Sequence, residues 1–341
     1  MKTREKVGFA VVGLGSIAVG AVLPALAHSK RAQLVALVSR DKRKASRLAK
    51  KFSAKAAHSC DEFAQCLRNP EIVAVYVATP PGEHLVFAAQ AAAAGKHVLC
   101  EKPLGATVEQ SAEIVKACRD AGVLLMTAYR KYFEPSSLYL KQLIRSGALG
   151  RIDIIHTSFS ELHTPGISVD WLLDSRLAGG GPLMDLGIYC VNTTRWLVDE
   201  DPVEVTASSW SHDKARFHQV EEGIVFRMRF PSGLVVQGSS TYGAALSSFL
   251  YLQGTKGWAS LSPAFTFDEE RHFSAKIGKH RYQRVFKVVD EFALEIDAFA
   301  AAVQARRPAE ADGLQGHRDM VILNAIYDSA RKQESVMIGY Q

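Results

Sequence analysis

Leu99-Cys100-Glu101-Lys102-Pro103 closes a short apolar run on a carboxylate, an ammonium and a proline. An ammonium at the carboxyl end of a buried strand lies where open α/β sheets bind ligands. There it could orient a substrate hydroxyl or lower the pKa of a neighbouring acid. The proline ends the strand ladder and fixes the chain direction. A second constellation lies in Ala178-Gly179-Gly180-Gly181-Pro182-Leu183-Met184-Asp185-Leu186-Gly187-Ile188-Tyr189, where a glycine loop runs into a helix. Asp185 and Tyr189 stand at i and i+4, so a carboxylate and a phenol share one helix face. The plainer readings make Lys102 a surface charge, Tyr189 a core aromatic among Leu186, Ile188 and Val191, and Asp185 a helix N-terminal carboxylate favoured by the dipole. His156, His163 and Asp153 lack metal-ligand spacing, and Ser160 lacks a nucleophile elbow, so neither a metal site nor a nucleophilic triad is expected.

Val11-Val12-Gly13-Leu14-Gly15-Ser16-Ile17-Ala18 matches the G-x-G-x-x-G/A fingerprint between a strand and a helix. Gly13 permits the tight turn, Gly15 lets the backbone approach a pyrophosphate, and Ala18 allows close helix-to-strand packing. The helix N-terminus adds N–H groups and a positive dipole. Gly13, Gly15, Ser16 and Ile17 are therefore candidate dinucleotide contacts, against the alternative of a glycine turn without a ligand. The end of the second strand selects the cofactor and reads Val38-Ser39-Arg40-Asp41-Lys42-Arg43-Lys44. Ser39 takes the place where an acidic residue would bind the NAD ribose, while Arg40 with Arg43 or Lys44 could clamp a 2′-phosphate. NADP is expected. NAD stays possible because a one-residue shift would bring Asp41 to the ribose.

The elements that must position these groups follow from periodicity. Val7 to Val12, Leu34 to Val38, Ile72 to Ala78, His97 to Cys100 and Val123 to Met126 read as buried strands. They alternate with helical patterns at Ala18 to His28, Asp41 to Phe52, Gly82 to Ala94 and Thr107 to Ala121. Asp41 is an N-cap, and Gly95 and Gly122 end helices. Such alternation predicts a parallel, doubly wound sheet. After Met126 the runs 151–161, 203–211, 222–230, 234–242 and 248–261 are joined by turns such as Pro231-Ser232-Gly233 and Gly254-Thr255-Lys256-Gly257, which implies a mostly antiparallel sheet. Helices should begin near Asp185, Asp290 and Gly316, with Glu134 to Ser146 as a connecting helix. The fold expected is α/β: an N-terminal Rossmann domain over 1–127, then an α+β domain over 128–341 with a large open, mostly antiparallel sheet.

Composition agrees. The 341 residues exceed one ordinary domain, and 48% hydrophobic content excludes disorder. Lys and Arg exceed Asp and Glu by 41 to 35, without a basic block or basic-aromatic stripe, so no nucleic-acid surface is expected. Cys60, Cys66, Cys100, Cys118 and Cys190 form no C-x-x-C pair or disulfide framework, which fits a reducing, cytoplasmic compartment. Lys2, Arg4 and Lys6 before the uncharged run Val7 to Ala27 could be mistaken for a signal peptide or a short membrane span. Gly8, Gly13, Gly15, Gly20 and Pro24 favour strand, turn and helix, and no membrane association is expected.

The chain resembles the Gfo/Idh/MocA oxidoreductase family, most closely its glucose-fructose oxidoreductase-like branch. The resemblance runs through the glycine fingerprint, Ala78-Thr79-Pro80-Pro81 with His84, Glu101-Lys102-Pro103, Ala128-Tyr129-Arg130 with Phe133-Glu134-Pro135, and Gly179 through Asn192. It implies a C-terminal domain whose open sheet packs on another subunit, as a homodimer or homotetramer. It also implies that Lys102, Asp185 and Tyr189 line a sugar or polyol beside the nicotinamide. Thr79, Pro80, His84, Glu101, Lys102 and Arg130 would lie about the cofactor, with Trp171 and Arg176 as the aromatic and basic residues before the glycine loop. Leu172 follows Trp171 where relatives often have arginine, and Tyr189 stands where many have histidine.

A free phenol, with a pKa of about 10, is a poor base near neutrality without a cation beside it. The resemblance makes Lys102 that cation and Tyr189 the acid/base. The activity it implies is NADP-dependent hydride transfer at a hydroxyl or carbonyl carbon of a sugar, as in an aldose dehydrogenase or glucose-fructose oxidoreductase. The alternatives are dihydrodiol oxidation and a non-catalytic dinucleotide-binding regulator.

Overall fold

Every residue of β1 (Val7–Val12) is buried, as expected for a central strand of a parallel sheet covered on both faces. The computed structural model describes residues 6–164 and 170–340, so Lys2 and Arg4 lie outside the described residues. β1 pairs in parallel with β2 (Ala32–Ser39) on one side and β4 (Ala74–Val77) on the other. Beyond them lie β3 (Ala56–Ser59), β5 (His97–Cys100) and β6 (Leu125–Thr127), in the order β3-β2-β1-β4-β5-β6. Strand order reverses between β1 and β4, and that switch point opens a crevice at the strands' carboxyl ends. Helices Lys42–Lys51, His84–Ala93 and Val108–Asp120 fill the crossovers as the periodicity predicts. Gly95 and Gly122 follow the last two with φ of 69° and 66°. The strand β3 and the short helix Phe63–Leu67 have no counterpart in the pattern reading. Ala-Ala-His-Ser at a sheet edge is half-buried throughout and carries no apolar alternation.

Two compact units divide the chain, and neither is a continuous segment: Met1–Arg130 joins Asp290–His317, and Lys131–Val289 joins Arg318–Gln341. Helix Glu291–Ala305 thus belongs with the parallel sheet, where Phe299 meets Phe9 edge-on at 6.1 Å. Asp297 fastens the same helix by accepting from the Ser29 hydroxyl at 2.5 Å and the Arg31 N–H at 2.9 Å.

The second unit is built on nine strands. These are β7 (Ile152–Ser160), β8 (Glu204–Trp210), β9 (Gly223–Arg229), β10 (Val235–Thr241), β11 (Ser247–Gly254), β12 (Gly257–Ser262), β13 (Arg271–Ile277), β14 (His280–Phe286) and β15 (Val336–Met337). Their order is β14-β13-β12-β11-β7-β10-β9-β8-β15. The pairs are antiparallel except β7 with β10. In β9 burial alternates along the strand, so one sheet face is packed and the other open. Helix Ile188–Val198 packs on β7 and β10. The fold is α/β, a parallel Rossmann sheet with a second, mostly antiparallel sheet. β13 to β15 are further elements that the pattern reading did not include.

Candidate active site

The cofactor side begins at the glycine turn. Gly13 has φ +89°, and a Cβ there would lie 2.5 Å from the backbone of Ala78, so the turn leaves no room for a side chain. Its N–H donates to Val38 O at 3.0 Å while Ala78 N–H donates to Val12 O at 2.8 Å, which wedges the turn between the ends of β2 and β4. A Cβ on Gly15, by contrast, would meet nothing within 4 Å. Ala18, where the helical run starts, is fully buried. Gly15 and Ser16 are exposed and Ile17 is half-buried. The Thr79 hydroxyl is buried without a hydrogen-bond partner among the described residues. An open cradle at the strand switch point and an orphaned donor beside it fit a dinucleotide phosphate.

At the end of β2, Ser39 is buried and its hydroxyl accepts from Asp41 N–H at 3.2 Å. The Asp41 carboxylate accepts from Lys44 N–H at 2.9 Å and so caps helix Lys42–Lys51. Such a cap contributes about 1 kcal/mol and engages the group that an NAD ribose would need. Arg40 is exposed, with Glu83 3.8 Å from its guanidinium, and Lys44 is half-buried.

Thr79 and Pro80 are half-buried at the end of β4, and His84 lies inside the domain with no exposed surface. Its Nε2 is 2.8 Å from Thr79 O and its Nδ1 3.3 Å from Leu104 O. Burial pushes its pKa down to about 4, against the pull of these carbonyls. A neutral imidazole carries one N–H, so it donates to only one of these carbonyls, the nearer being Thr79 O, while its buried ring packs between the loop after β4 and the loop carrying Lys102.

Glu101 is buried at the end of β5, accepting from the Tyr76 hydroxyl at 2.8 Å and from Lys102 N–H at 3.2 Å. Burial raises its pKa, opposed by the Lys102 charge, these hydrogen bonds and Arg130. Lys102 itself is half-buried, and the Lys102–Pro103 peptide is cis. Arg130 is buried in an ion pair with Glu291, its guanidinium 5.5 Å from the Phe292 ring centre. Glu295, one turn on from Glu291, is fully buried, with Tyr76 and Glu101 as neighbours. Burial and the neighbouring Glu101 raise its pKa well above the ordinary carboxylate value. Spacing arguments pass over Glu291 and Glu295 because their helix returns from far along the chain.

The second unit carries the glycine loop. Asp174 caps helix Ser175–Ala178 and pairs with the exposed Arg176 at 3.0 Å, while Trp171 is 36% exposed. Side chains on Gly180 and Gly181 would strike Tyr327 and Glu221. The half-buried Glu221 accepts at its carboxylate from Gly181 N–H at 3.0 Å, Leu183 N–H at 3.1 Å and the Tyr327 hydroxyl at 2.9 Å. These bonds anchor the start of a π-helical turn, Leu183–Gly187, that continues as helix Ile188–Val198. From Gly181 to Leu197 every residue is buried except Asp185 and Tyr189. Within that stretch the two groups singled out by their spacing are thus the two left accessible. Phe159 meets the Tyr189 ring edge-on at 5.7 Å, and Phe265 lies 6.0 Å from it. Asp185 Oδ2 accepts from the Tyr242 hydroxyl at 3.1 Å. Glu221, Tyr242 and Tyr327 carry no local motif and were missed for that reason.

The arrangement offers a dinucleotide cradle beside Lys102 in one unit, and a carboxylate with a phenol on one helix in the other. Residues 7–129 match the oxidoreductase family with an NAD-binding Rossmann fold, and residues 137–260 match the Gfo/Idh/MocA C-terminal domain. The chain belongs to the Gfo/Idh/MocA oxidoreductase family. It is 30% identical to the D-xylose 1-dehydrogenase [NADP(+)] of Haloarcula marismortui, covering 98% of this chain and 94% of that protein. It is also 30% identical to the trans-1,2-dihydrobenzene-1,2-diol dehydrogenase of Macaca fascicularis, over 74% of this chain and 73% of that one. Among solved structures, the aldose-aldose oxidoreductase of Caulobacter crescentus complexed with glycerol superposes with a TM-score of 0.93 at 32% identity, over 98% of this chain and 100% of the other.

Proposed function

We propose that the protein is an NADP-dependent dehydrogenase of sugars that oxidises an aldose at its anomeric carbon. The observation that carries this reading is the likeness to an NADP-dependent D-xylose 1-dehydrogenase over 98% of the chain. The engaged Asp41 carboxylate and the exposed Arg40 guanidinium support NADP, with NAD as a weaker alternative. Gly13, Gly15, Ser16 and Ile17 would hold the pyrophosphate, and Ser39, Arg40 and Lys44 the 2′-phosphate. Thr79, Pro80, Glu101, Lys102, Arg130, Trp171 and Arg176 would line or support the remainder.

Bound NADP supplies the acceptor for the hydride that leaves the anomeric carbon. The chain's own residues handle the proton. Tyr189 takes the hydroxyl proton during oxidation and returns it during carbonyl reduction, Lys102 favours the phenolate, and Asp185 positions the hydroxyl. Five free cysteines support a reducing, cytoplasmic setting, and the open face of the nine-stranded sheet supports a homodimer or homotetramer.

Absorbance at 340 nm, followed with NADP and a panel of aldoses that includes D-xylose, tests the reading. Reduction of NADP by an aldose is expected. Cofactor binding without turnover of any sugar or diol would identify a dinucleotide-binding regulator instead, and tighter binding of NAD than NADP would overturn the role of Arg40. The likeness to a dihydrodiol dehydrogenase supports a second reading, in which a cyclic diol replaces the sugar and turns over faster than any aldose.

A further inference from the structure

Tyr242 follows β10 directly and has no exposed surface. Its hydroxyl donates to Asp185 Oδ2 at 3.1 Å. Its ring lies flat on the imidazole of His163, with centroids 4.0 Å apart and planes at 17°. Backbone bonds hold both partners: Tyr242 N–H donates to Glu222 O and His163 N–H to Tyr242 O, each at 2.9 Å. A phenol pinned by its main chain and by a stacked ring has a fixed direction for its O–H, so the oxygen that it meets is fixed as well. Burial, followed by the negative charges of Asp185 and Glu221, holds its proton well above the ordinary phenol range. The hydroxyl therefore remains a donor at any working pH. Sequence spacing did not single out Tyr242, and its contact is with the carboxylate on the accessible helix face rather than with a structural group.

We propose that Tyr242 is a positioning residue for the reaction: its hydroxyl aims the Asp185 carboxylate, and the His163 ring stacked on it fixes the phenol. The inference rests on the reading of Asp185 as the group that positions the substrate hydroxyl. A donor on one carboxylate oxygen restricts side-chain rotation, so Asp185 meets the substrate already oriented. Tyr189 stands one turn further along the same helix, which makes the orientation of Asp185 a condition for placing the hydroxyl against the phenol.

The test is a double-mutant cycle in the full chain, with steady-state kinetics on NADP and D-xylose, or on whichever aldose the wild type oxidises fastest. Tyr242→Phe keeps the ring and its stack while deleting the hydroxyl. It is expected to lower kcat about tenfold, the effect of one hydrogen bond to a charged group. The KM for NADP should stay within about twofold, since no cofactor contact changes. In an Asp185→Asn background the same change should cost little more, because Tyr242 acts through Asp185. Melting temperatures of the four proteins separate this from loss of fold. Wild-type kcat in Tyr242→Phe, or losses that simply multiply in the double variant, overturns the inference while leaving Asp185 its role. Undiminished turnover in Asp185→Asn removes the reading of Asp185 and the inference with it.

Discussion

Tyr189 and Lys102 carry the sharpest claim at the scale of single residues. The Tyr189 ring rests against Phe159 and Phe265 and is half-buried, so Phe in its place keeps the packing and removes only the hydroxyl. An acid/base contributes roughly 100-fold or more, so kcat for Tyr189→Phe should fall by at least about that factor. Activity within about threefold of wild type, under about 1 kcal/mol of barrier, would rule the role out. Lys102→Met should lose turnover more than NADP affinity, and unchanged turnover would dissolve the proposed coupling. Both residues were legible before any fold was known, because Glu101-Lys102-Pro103 and Asp185 with Tyr189 are local patterns. Their supporting groups were not. Tyr242 lies 57 residues from Asp185 and Glu221 lies 40 from Gly181, and only strand order brings such partners together.

At the scale of elements, the strand-to-helix loops decide where those side chains point. The alternation of apolar runs gave five of the six parallel strands, whereas β3 stayed hidden because an edge strand of Ala-Ala-His-Ser has no period to read. His84 shows what local reading misses in a loop: the resemblance set it about the cofactor, and the fold buries it entirely, with Nε2 2.8 Å from Thr79 O and Nδ1 3.3 Å from Leu104 O. This has a pH consequence. The folded state keeps His84 neutral down to about 4, while the unfolded chain takes up a proton near the ordinary histidine value of 6.5. Between those values the unfolded state binds more protons, so the contribution of His84 is full above about pH 6.5 and declines as pH falls towards 4. The total is about 3 kcal/mol at most. Urea unfolding of wild type and His84→Gln from pH 7 to pH 4 measures it. The stability difference between the two should shift in the variant's favour on acidification, and a pH-independent difference would contradict the buried neutral state.

The whole molecule raises the question of what covers its larger sheet. Paired across adjacent strands, Val225, Ser239, Ser158 and Phe249 form one row on the open face, with Val225 44% and Phe249 37% exposed. In the next row Tyr251 lies opposite His156, and its ring is 5.7 Å from that of Trp258. A solvated sheet face ordinarily alternates to polar side chains, so apolar and aromatic groups separated by serines form a flat surface suited to another sheet. A stable interface needs about 1,600 Å² of total buried area, and a nine-stranded face is broad enough to contribute its half. Self-association through this face is therefore the expected state, as the resemblance implied from the sequence alone. Light scattering on the eluting protein at micromolar concentration should give the mass of a dimer or tetramer. Replacing Val225 and Phe249 together by Glu places two charges in the centre of the contact and should yield a smaller species with the cofactor cradle intact, measured as unchanged NADP affinity. A monomeric wild type, or a double variant of unchanged mass, would mean that the open sheet serves some purpose other than pairing subunits.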